Sequence, residues 1–149
     1  MLFFNAILAA FVFIFVPALA APQSPGHPPV LDLTYSGQYD NAKLSLTGVA
    51  CSNGPNGLLT KGYKTLGDLK NFPYVGAAQY IEGWNSANCG SCYKLIWGAN
   101  SIYVLGVDHV ANGFVISKAA LDKLTGGQAV QLGKTDAAVI GVPSSYCQI

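Results

Sequence analysis

The chain contains no arginine and few charged residues of either sign. Its 149 residues include eight lysines and seven acidic residues, so only 10% are charged, where a soluble domain usually has about a quarter. With a net charge of +1, the chain has no basic field that could neutralise a phosphate backbone, and nucleic acid is not an expected partner. We therefore expect a ligand to be held by neutral hydrogen bonds and aromatic stacking, which suits an uncharged, hydroxyl-rich polymer such as a glycan.

The sequence also lacks the features of a metal centre and of an N-glycosylation site. Of the four cysteines, Cys51, Cys89, Cys92 and Cys147, only the central two are closely spaced, whereas a four-cysteine zinc site takes two such pairs. A redox CxxC needs a βαβ context that the neighbouring residues do not supply. We therefore expect two disulfides, no metal and no cofactor, with the zinc and redox interpretations as minor alternatives. No Asn-x-Ser/Thr sequon is present, so we expect no N-glycan on the surface.

The N-terminal part of the chain divides into three segments. An apolar run over residues 6–16 is followed by Pro17 and the small-residue sequence 18–20, which predicts a signal peptide over residues 1–20. Residues 21–29 contain four prolines and form a disordered lead. One domain follows over residues 30–149. This organisation predicts a secreted protein with no stable membrane insertion after cleavage; an uncleaved anchor over residues 2–21 is the alternative.

Short apolar alternations separated by glycine turns predict a mostly β domain. The strand-like runs cover residues 31–35, 44–48, 93–97, 102–107 and 137–142, and residues 98–101 form a hairpin turn. Thr65 begins one or two helical turns, and Ser117 caps a helix over residues 118–124 that Gly126 ends. These elements favour a closed β-barrel over a helical bundle or a doubly wound sheet.

Five linked motifs carry a resemblance to a known family. They are CSNGPNGL at 51–58, YKTLGD at 63–68, GWNS at 83–86, CGSCYKL at 89–95 and GVDHVANGF at 106–114. In order and spacing they resemble the cerato-platanin family of secreted fungal proteins. The resemblance implies a six-stranded double-psi β-barrel, related to the expansin and barwin barrels, with about two short helices. It also implies two disulfides, Cys51 with Cys89 and Cys92 with Cys147. The sequence departs from the family pattern at Ser36, Tyr93 and 115–116.

The predicted site lies where the strand 102–107 runs into a glycine-flanked loop. Asp108 is the first candidate, because the matching Asp in related barrels lies in a polysaccharide groove; its alternative role is to bind loop backbone. Asn112 and Asn53 are predicted to compete for polymer hydroxyl groups. The candidate stacking platforms are Tyr35, Tyr39, Trp84 and Tyr93. His109 follows Asp108 on the opposite face of the strand, so we do not expect an Asp-His dyad.

The resemblance implies a protein that binds chitin oligomers or other β-linked wall polymers, loosens them as expansins do, and is recognised by a plant host receptor as an elicitor. Inverting hydrolysis needs two carboxylates roughly 6.5 to 9.5 Å apart, and Asp40 is the only other acid we expect near the groove, since Asp32 and Asp122 point outward. We therefore predict a non-catalytic protein. The alternatives are a weak β-1,4-glucanase using Asp108 as acid and Asp40 as base, and a surface-active protein that self-assembles.

Overall fold

A computed structural model describes residues 26–149. The predicted signal peptide, residues 1–20, lies outside the described residues. So does the first part of the proline-rich lead, residues 21–25. Residues 26–29 adopt neither helix nor strand before the first strand begins. Within residues 26–149, no helix is both long enough and apolar enough to cross a membrane.

Six strands close into a barrel, which confirms the predicted fold. They are β1 (Val30–Tyr35), β2 (Val75–Ala78), β3 (Cys92–Trp97), β4 (Asn100–His109), β5 (Phe114–Ile116) and β6 (Lys134–Val142). Their order around the barrel is β1-β5-β2-β4-β3-β6. Two pairs are parallel, β1 with β5 and β2 with β4, and the other pairs are antiparallel. A closed barrel leaves no unpaired sheet edge.

The barrel interior is filled by alternate residues of the strands. In β4 the side chains of Ile102 and Val104 are buried while Tyr103 between them is partly exposed, which is the period-two pattern of a strand with one buried face. The predicted hairpin joins β3 to β4, with Trp97 paired to Asn100. Gly98 in the turn has φ +56, a left-handed conformation that favours glycine.

The helix α1 (Lys118–Thr125) confirms the prediction for residues 118–124. The Ser117 side chain accepts a hydrogen bond from the backbone N–H of Ala120, and Gly126 ends the helix in the left-handed conformation. Ala120, Leu121 and Leu124 are buried, so one face of the helix covers the barrel. A second short helix, α2 (Ala129–Leu132), was not predicted, because its four residues are too few to show a helical period.

Three further regions differ from the sequence-based prediction: residues 44–48, strand β2 and the three-residue strand β5, for which no strand was predicted. Residues 44–48 are not a strand: Leu46–Gly48 is a 3-10 turn with Ser45 at its N-cap, and only one isolated bridge joins Ser45 to Thr65. The alternation there reflects Leu46 packing into the core while its neighbours face solvent. Strand β2 was missed because all four of its residues are buried, and a strand buried on both faces shows no alternation.

The turn predicted after Thr65 is present as the 3-10 helix Leu66–Asp68. Thr65 and Asp68 form a reciprocal capping box, in which the Asp68 carboxylate accepts from the backbone N–H groups of Thr65 and Lys64. These two hydrogen bonds hold the pKa of Asp68 below its ordinary value of 3.8, and the bond from Thr65 has the larger effect.

Both disulfides implied by the family resemblance are confirmed. Cys51 is bonded to Cys89, with the Cα atoms 5.3 Å apart, and Cys92 is bonded to Cys147, with the Cα atoms 5.7 Å apart. The first joins two loops, and the second fastens the C-terminal turn Ser144–Cys147 to β3. Disulfides of this kind are typical of proteins that fold in an oxidising compartment.

Candidate functional site

Asp108 lies near the end of β4 and binds three donors. One carboxylate oxygen accepts from the Tyr39 hydroxyl at 2.9 Å. The other accepts from the backbone N–H groups of Ala50 and His109, both at 2.8 Å. The side chain is half-buried. The carboxylate therefore joins the end of β4 to the segment before Cys51, and it also fills the alternative role predicted for it, that of binding loop backbone.

Tyr39 lies inside the fold rather than on its surface. Only 2% of its area is exposed, and burial, reinforced by the negative charge of Asp108, raises the pKa of its hydroxyl well above the ordinary value of 10.0. A ring with so little exposed area cannot lie against a polymer. In this structure Tyr39 is therefore a buried donor to Asp108 and not a stacking platform. Tyr93 is also buried, at 5%, and its ring stacks on Tyr80.

Trp84 and Asn53 form an exposed pair on two neighbouring loops. The indole N–H of Trp84 donates to the side-chain oxygen of Asn53 at 2.6 Å, and 64% of Trp84 is exposed. The Cys51–Cys89 disulfide holds these loops together. So does the Asn56–Asn85 pair, in which both the backbone N–H and the side-chain amide of Asn56 donate to Asn85, at 2.9 and 3.0 Å. The indole is thus presented to solvent on a crosslinked base.

Asn112 and Tyr35 occupy different parts of the barrel. Asn112 is exposed in the loop that links β4 to β5. Gly113 and Gln79 exchange hydrogen bonds beside it, which fixes this loop to the residue that follows β2. Tyr35 is half-buried at the end of β1. Strands β1 and β4 are separated by two strands in either direction around the barrel.

The acidic residues that were weighed as partners of Asp108 each bind another part of the protein. The two carboxylate oxygens of Asp40 accept from the backbone N–H groups of Lys118 and Ala119, at 2.7 and 2.9 Å, so Asp40 binds the N-terminus of α1. Asp122 pairs with Lys118 on the same helix, and Asp32 pairs with Lys134. Every oxygen of Asp40 and Asp108 accepts a protein hydrogen bond, an arrangement that positions the backbone.

The ring of His109 does not pair with Asp108, and the described residues offer no metal site. The Nδ1 atom of His109 lies 2.6 Å from the backbone oxygen of Ile81, while its backbone N–H, and not its ring, contacts Asp108. In the described part of the chain, no group of three His, Cys, Asp or Glu residues is arranged to hold a metal ion. This surface carries polar side chains and one exposed indole ring.

Several contacts that build the site were not predicted. Gln79, Asn85 and Ala50 were not singled out, because their partners lie 34, 29 and 58 residues away in sequence. The one local signal was the turn chemistry of residues 51–57, whose Asn-Gly steps indicate a fixed loop.

Comparisons with known proteins agree in sequence and in fold. A family model described as Cerato-platanin matches residues 31–149. The heat-stable 19 kDa antigen of Coccidioides immitis is 43% identical over 143 residues, which cover 96% of this chain and 94% of that protein. The crystal structure of cerato-platanin 3 from M. perniciosa superposes with a TM-score of 0.78 at 47% identity, covering 81% of this chain and 100% of that chain. The solution structure of the fungal elicitor Cerato-Platanin gives a TM-score of 0.70 at 39% identity, covering 78% and 95%.

Proposed function

The chain belongs to the cerato-platanin family, and on this premise we propose that it is a secreted, non-catalytic protein that binds chitin oligomers or other β-linked wall glycans. The observation that carries the proposal is the exposed Trp84, held by Asn53 on a disulfide-crosslinked base. An indole face suits the C–H face of a sugar ring, and its rigid support reduces the entropy lost on binding.

The polar part of the proposed site is neutral apart from Asp108. Asn53 and Asn112 are exposed amides that can bind sugar hydroxyl groups, and the half-buried Asp108 keeps lone pairs for a further donor. When these groups take hydroxyl contacts that otherwise join neighbouring polymer chains, the chains separate without any covalent bond being broken. This is expansin-like loosening, and it needs no general acid.

Secretion and host recognition belong to the same proposal. The two disulfides favour an oxidising compartment, and the sequence of residues 1–20 has the pattern of a cleavable leader. A relative of the same fold is described as a fungal elicitor, and we extend that role to this chain. Infiltration of the purified protein into leaves should produce an oxidative burst, and the absence of any response in a panel of hosts would remove the elicitor role.

The binding proposal is tested by retention on insoluble chitin and cellulose. Trp84→Ala should lower retention about two- to twelvefold, since an aromatic stacking contact is worth about 0.5 to 1.5 kcal/mol. Val130→Ala is the matched control, because Val130 is equally exposed, at 68%, and lies on α2 away from the site. Equal retention of all three proteins would overturn the site assignment.

Further measurements distinguish glycan binding from the two alternative functions, glucan hydrolysis and surface activity. A weak β-1,4-glucanase would release reducing ends from amorphous cellulose, and Asp108→Asn would abolish that release; we expect no release from either protein. A surface-active protein would use exposed apolar side chains, and four large ones are more than half exposed on separate parts of the fold, Val30, Trp84, Val130 and Tyr146. Film formation that Trp84→Ala leaves intact while glycan retention falls would show that the two activities use different surfaces.

A further inference from the structure

A second pocket, distinct from the surface around Asp108 and Trp84, opens beside the C-terminal turn. Its volume is about 350 Å³, within the range of small-molecule sites. Residues from the segment before β2, from β4, from α1 and from the C-terminal turn converge on it. None of its lining residues, all of which lie in the described part of the chain, belongs to the site proposed above.

Two tyrosine rings form one side of this pocket. Tyr103 of β4 and Tyr146 of the C-terminal turn stack with their centroids 4.9 Å apart and their planes 30° from parallel. Tyr146 remains 53% exposed although it takes part in the stack. An exposed ring supported from behind by a second ring is a platform for a flat or ring-shaped ligand.

The pocket is held in shape by contacts that link distant segments. The disulfide between Cys92 and Cys147 fastens the turn that carries Tyr146 to β3. The buried Asn71 side chain donates to the backbone oxygens of Tyr74 and Tyr103, at 2.7 and 3.1 Å. The walls are therefore formed before any ligand arrives, which lowers the entropy cost of binding.

The charge of the pocket is positive, in contrast to the rest of the molecule. Lys70 and Lys123 line it, and no acidic side chain does. Neither lysine forms an ion pair with any residue in 26–149. Two cations without a protein partner, beside an exposed aromatic platform, favour a ligand that carries both a ring and a negative charge.

Both cations of the pocket are lysines, and this restricts the kind of anion that the pocket can bind. Lysine binds as a point charge, whereas phosphate groups are gripped best by the arginine fork or by a helix N-terminus. The chain has no arginine, and Lys123 lies in the last turn of α1, whose C-terminal end carries negative partial charge that opposes a dianion about twice as strongly as a monoanion. A singly charged carboxylate on a hydroxylated ring satisfies these conditions.

We propose that this pocket, formed by Lys70, Lys123, Tyr103 and Tyr146, binds acidic sugars of the hexuronate class. The sugar ring lies against the exposed face of Tyr146, and the lysines bind the carboxylate. The protein thereby has two glycan sites of different chemistry, a neutral one and an anionic one. The second site depends on none of the residues of the first.

The test is calorimetric titration of the purified protein with tetragalacturonate at low ionic strength. Lys70→Gln and Lys123→Gln should each weaken binding about tenfold, the loss expected for one charge-assisted contact. Tyr146→Ala should weaken it by a similar factor. Lys43→Gln is the matched control, because Lys43 is an exposed lysine outside the pocket, and it should bind as the wild type does. Thermal denaturation of each variant checks that the fold is retained.

Additional ligands distinguish the source and the chemistry. Binding of a glucuronate oligomer, with or without binding of tetragalacturonate, would support the hexuronate class. The oligomer that binds identifies which kind of wall polymer supplies the ligand. The methyl-esterified galacturonate oligomer should bind at least about tenfold more weakly, because it lacks the charge. Equal affinity for wild type and the Lys70→Gln/Lys123→Gln double variant would overturn the proposal. So would tight binding of a sulfated oligosaccharide that Tyr146→Ala does not affect, since this indicates general attraction of polyanions.

Failure of this proposal is distinguishable from failure of the function proposed above. The Lys70→Gln/Lys123→Gln double variant should be retained on chitin as strongly as the wild type. A parallel loss of chitin retention and uronate binding in this variant would contradict two separate sites.

Discussion

The hydrogen bond between Tyr39 and Asp108 offers a sharp test of how the site is held. Tyr39→Phe removes one hydroxyl group and leaves the ring in place. The ring is 2% exposed, so the substitution changes no surface. It deletes the donor that lies 2.9 Å from one carboxylate oxygen and leaves the two backbone donors on the other oxygen.

The size of the effect follows from the burial of the two partners. A hydrogen bond to a charged group contributes about 1.5 to 3 kcal/mol. Because Asp108 is only half-buried, water can replace part of the lost contact, so we expect a decrease of about 1.5 kcal/mol in the free energy of unfolding. At roughly 2.1 cal/mol/K per residue, residues 26–149 give an unfolding entropy of about 0.26 kcal/mol/K, and the melting temperature should fall by about 6 °C.

The assay is urea denaturation followed by tryptophan fluorescence, together with a thermal melt. Tyr63→Phe is the matched control, because Tyr63 is half-buried and its hydroxyl forms no hydrogen bond within residues 26–149. A change within about 0.5 kcal/mol for Tyr39→Phe, equal to that of the control, would refute the argument that Asp108 is anchored from the core.

The same residue makes a prediction at alkaline pH. The pKa of the Tyr39 hydroxyl is raised in the folded state, first by burial and then by Asp108. Its contribution to stability is therefore complete below the ordinary value of 10.0 and is lost as the pH rises from there toward the folded pKa. Between about pH 10 and 11.5, the wild type should lose more stability than Tyr39→Phe; parallel curves for the two proteins would contradict the assigned burial.

Three further predictions concern the framework. Replacing both Cys92 and Cys147 with Ser should lower the free energy of unfolding by about 4 kcal/mol, from the entropy of a loop of 55 residues; an unchanged urea midpoint would contradict this. Because the pKa of Asp68 is lowered, its stabilisation is present above pH 3.8 and lost as the pH falls below it. Asp68→Asn should therefore flatten the acid limb of the stability curve, and an unaltered limb would count against the capping box. Gly113→Ala should cost about 2 kcal/mol or more, because φ is +68 and a Cβ would lie 2.1 Å from a backbone oxygen of β1. Gly98→Ala, with open space around its Cβ, should cost less in the same denaturation assay.

The elements that could be predicted are those whose signal is local. Ser117 and Gly126 mark the two ends of α1 because a cap and a left-handed residue act within one turn of the helix. Residues 44–48 were predicted wrongly because a short alternation is satisfied equally by a strand and by a 3-10 turn that buries only Leu46. Two residues that were predicted separately for the site, Asn53 and Trp84, form a hydrogen bond with each other, although nothing in the spacing of their loops requires it.

The sequence by itself determined the class of the molecule: a β-rich domain of low charge with two disulfides, identified by motifs whose spacing is specific to one family. Only the tertiary structure decided what each site residue can do. Tyr39 and Trp84 are both predicted from the sequence as stacking platforms. In the structure Tyr39 is buried and donates a hydrogen bond to Asp108, whereas Trp84 faces solvent. The Lys70, Lys123 and Tyr146 pocket has no sequence signature at all, since its members come from separate segments. The physical reason is that exposure and charge proximity depend on which distant segments the barrel and its crosslinks bring together.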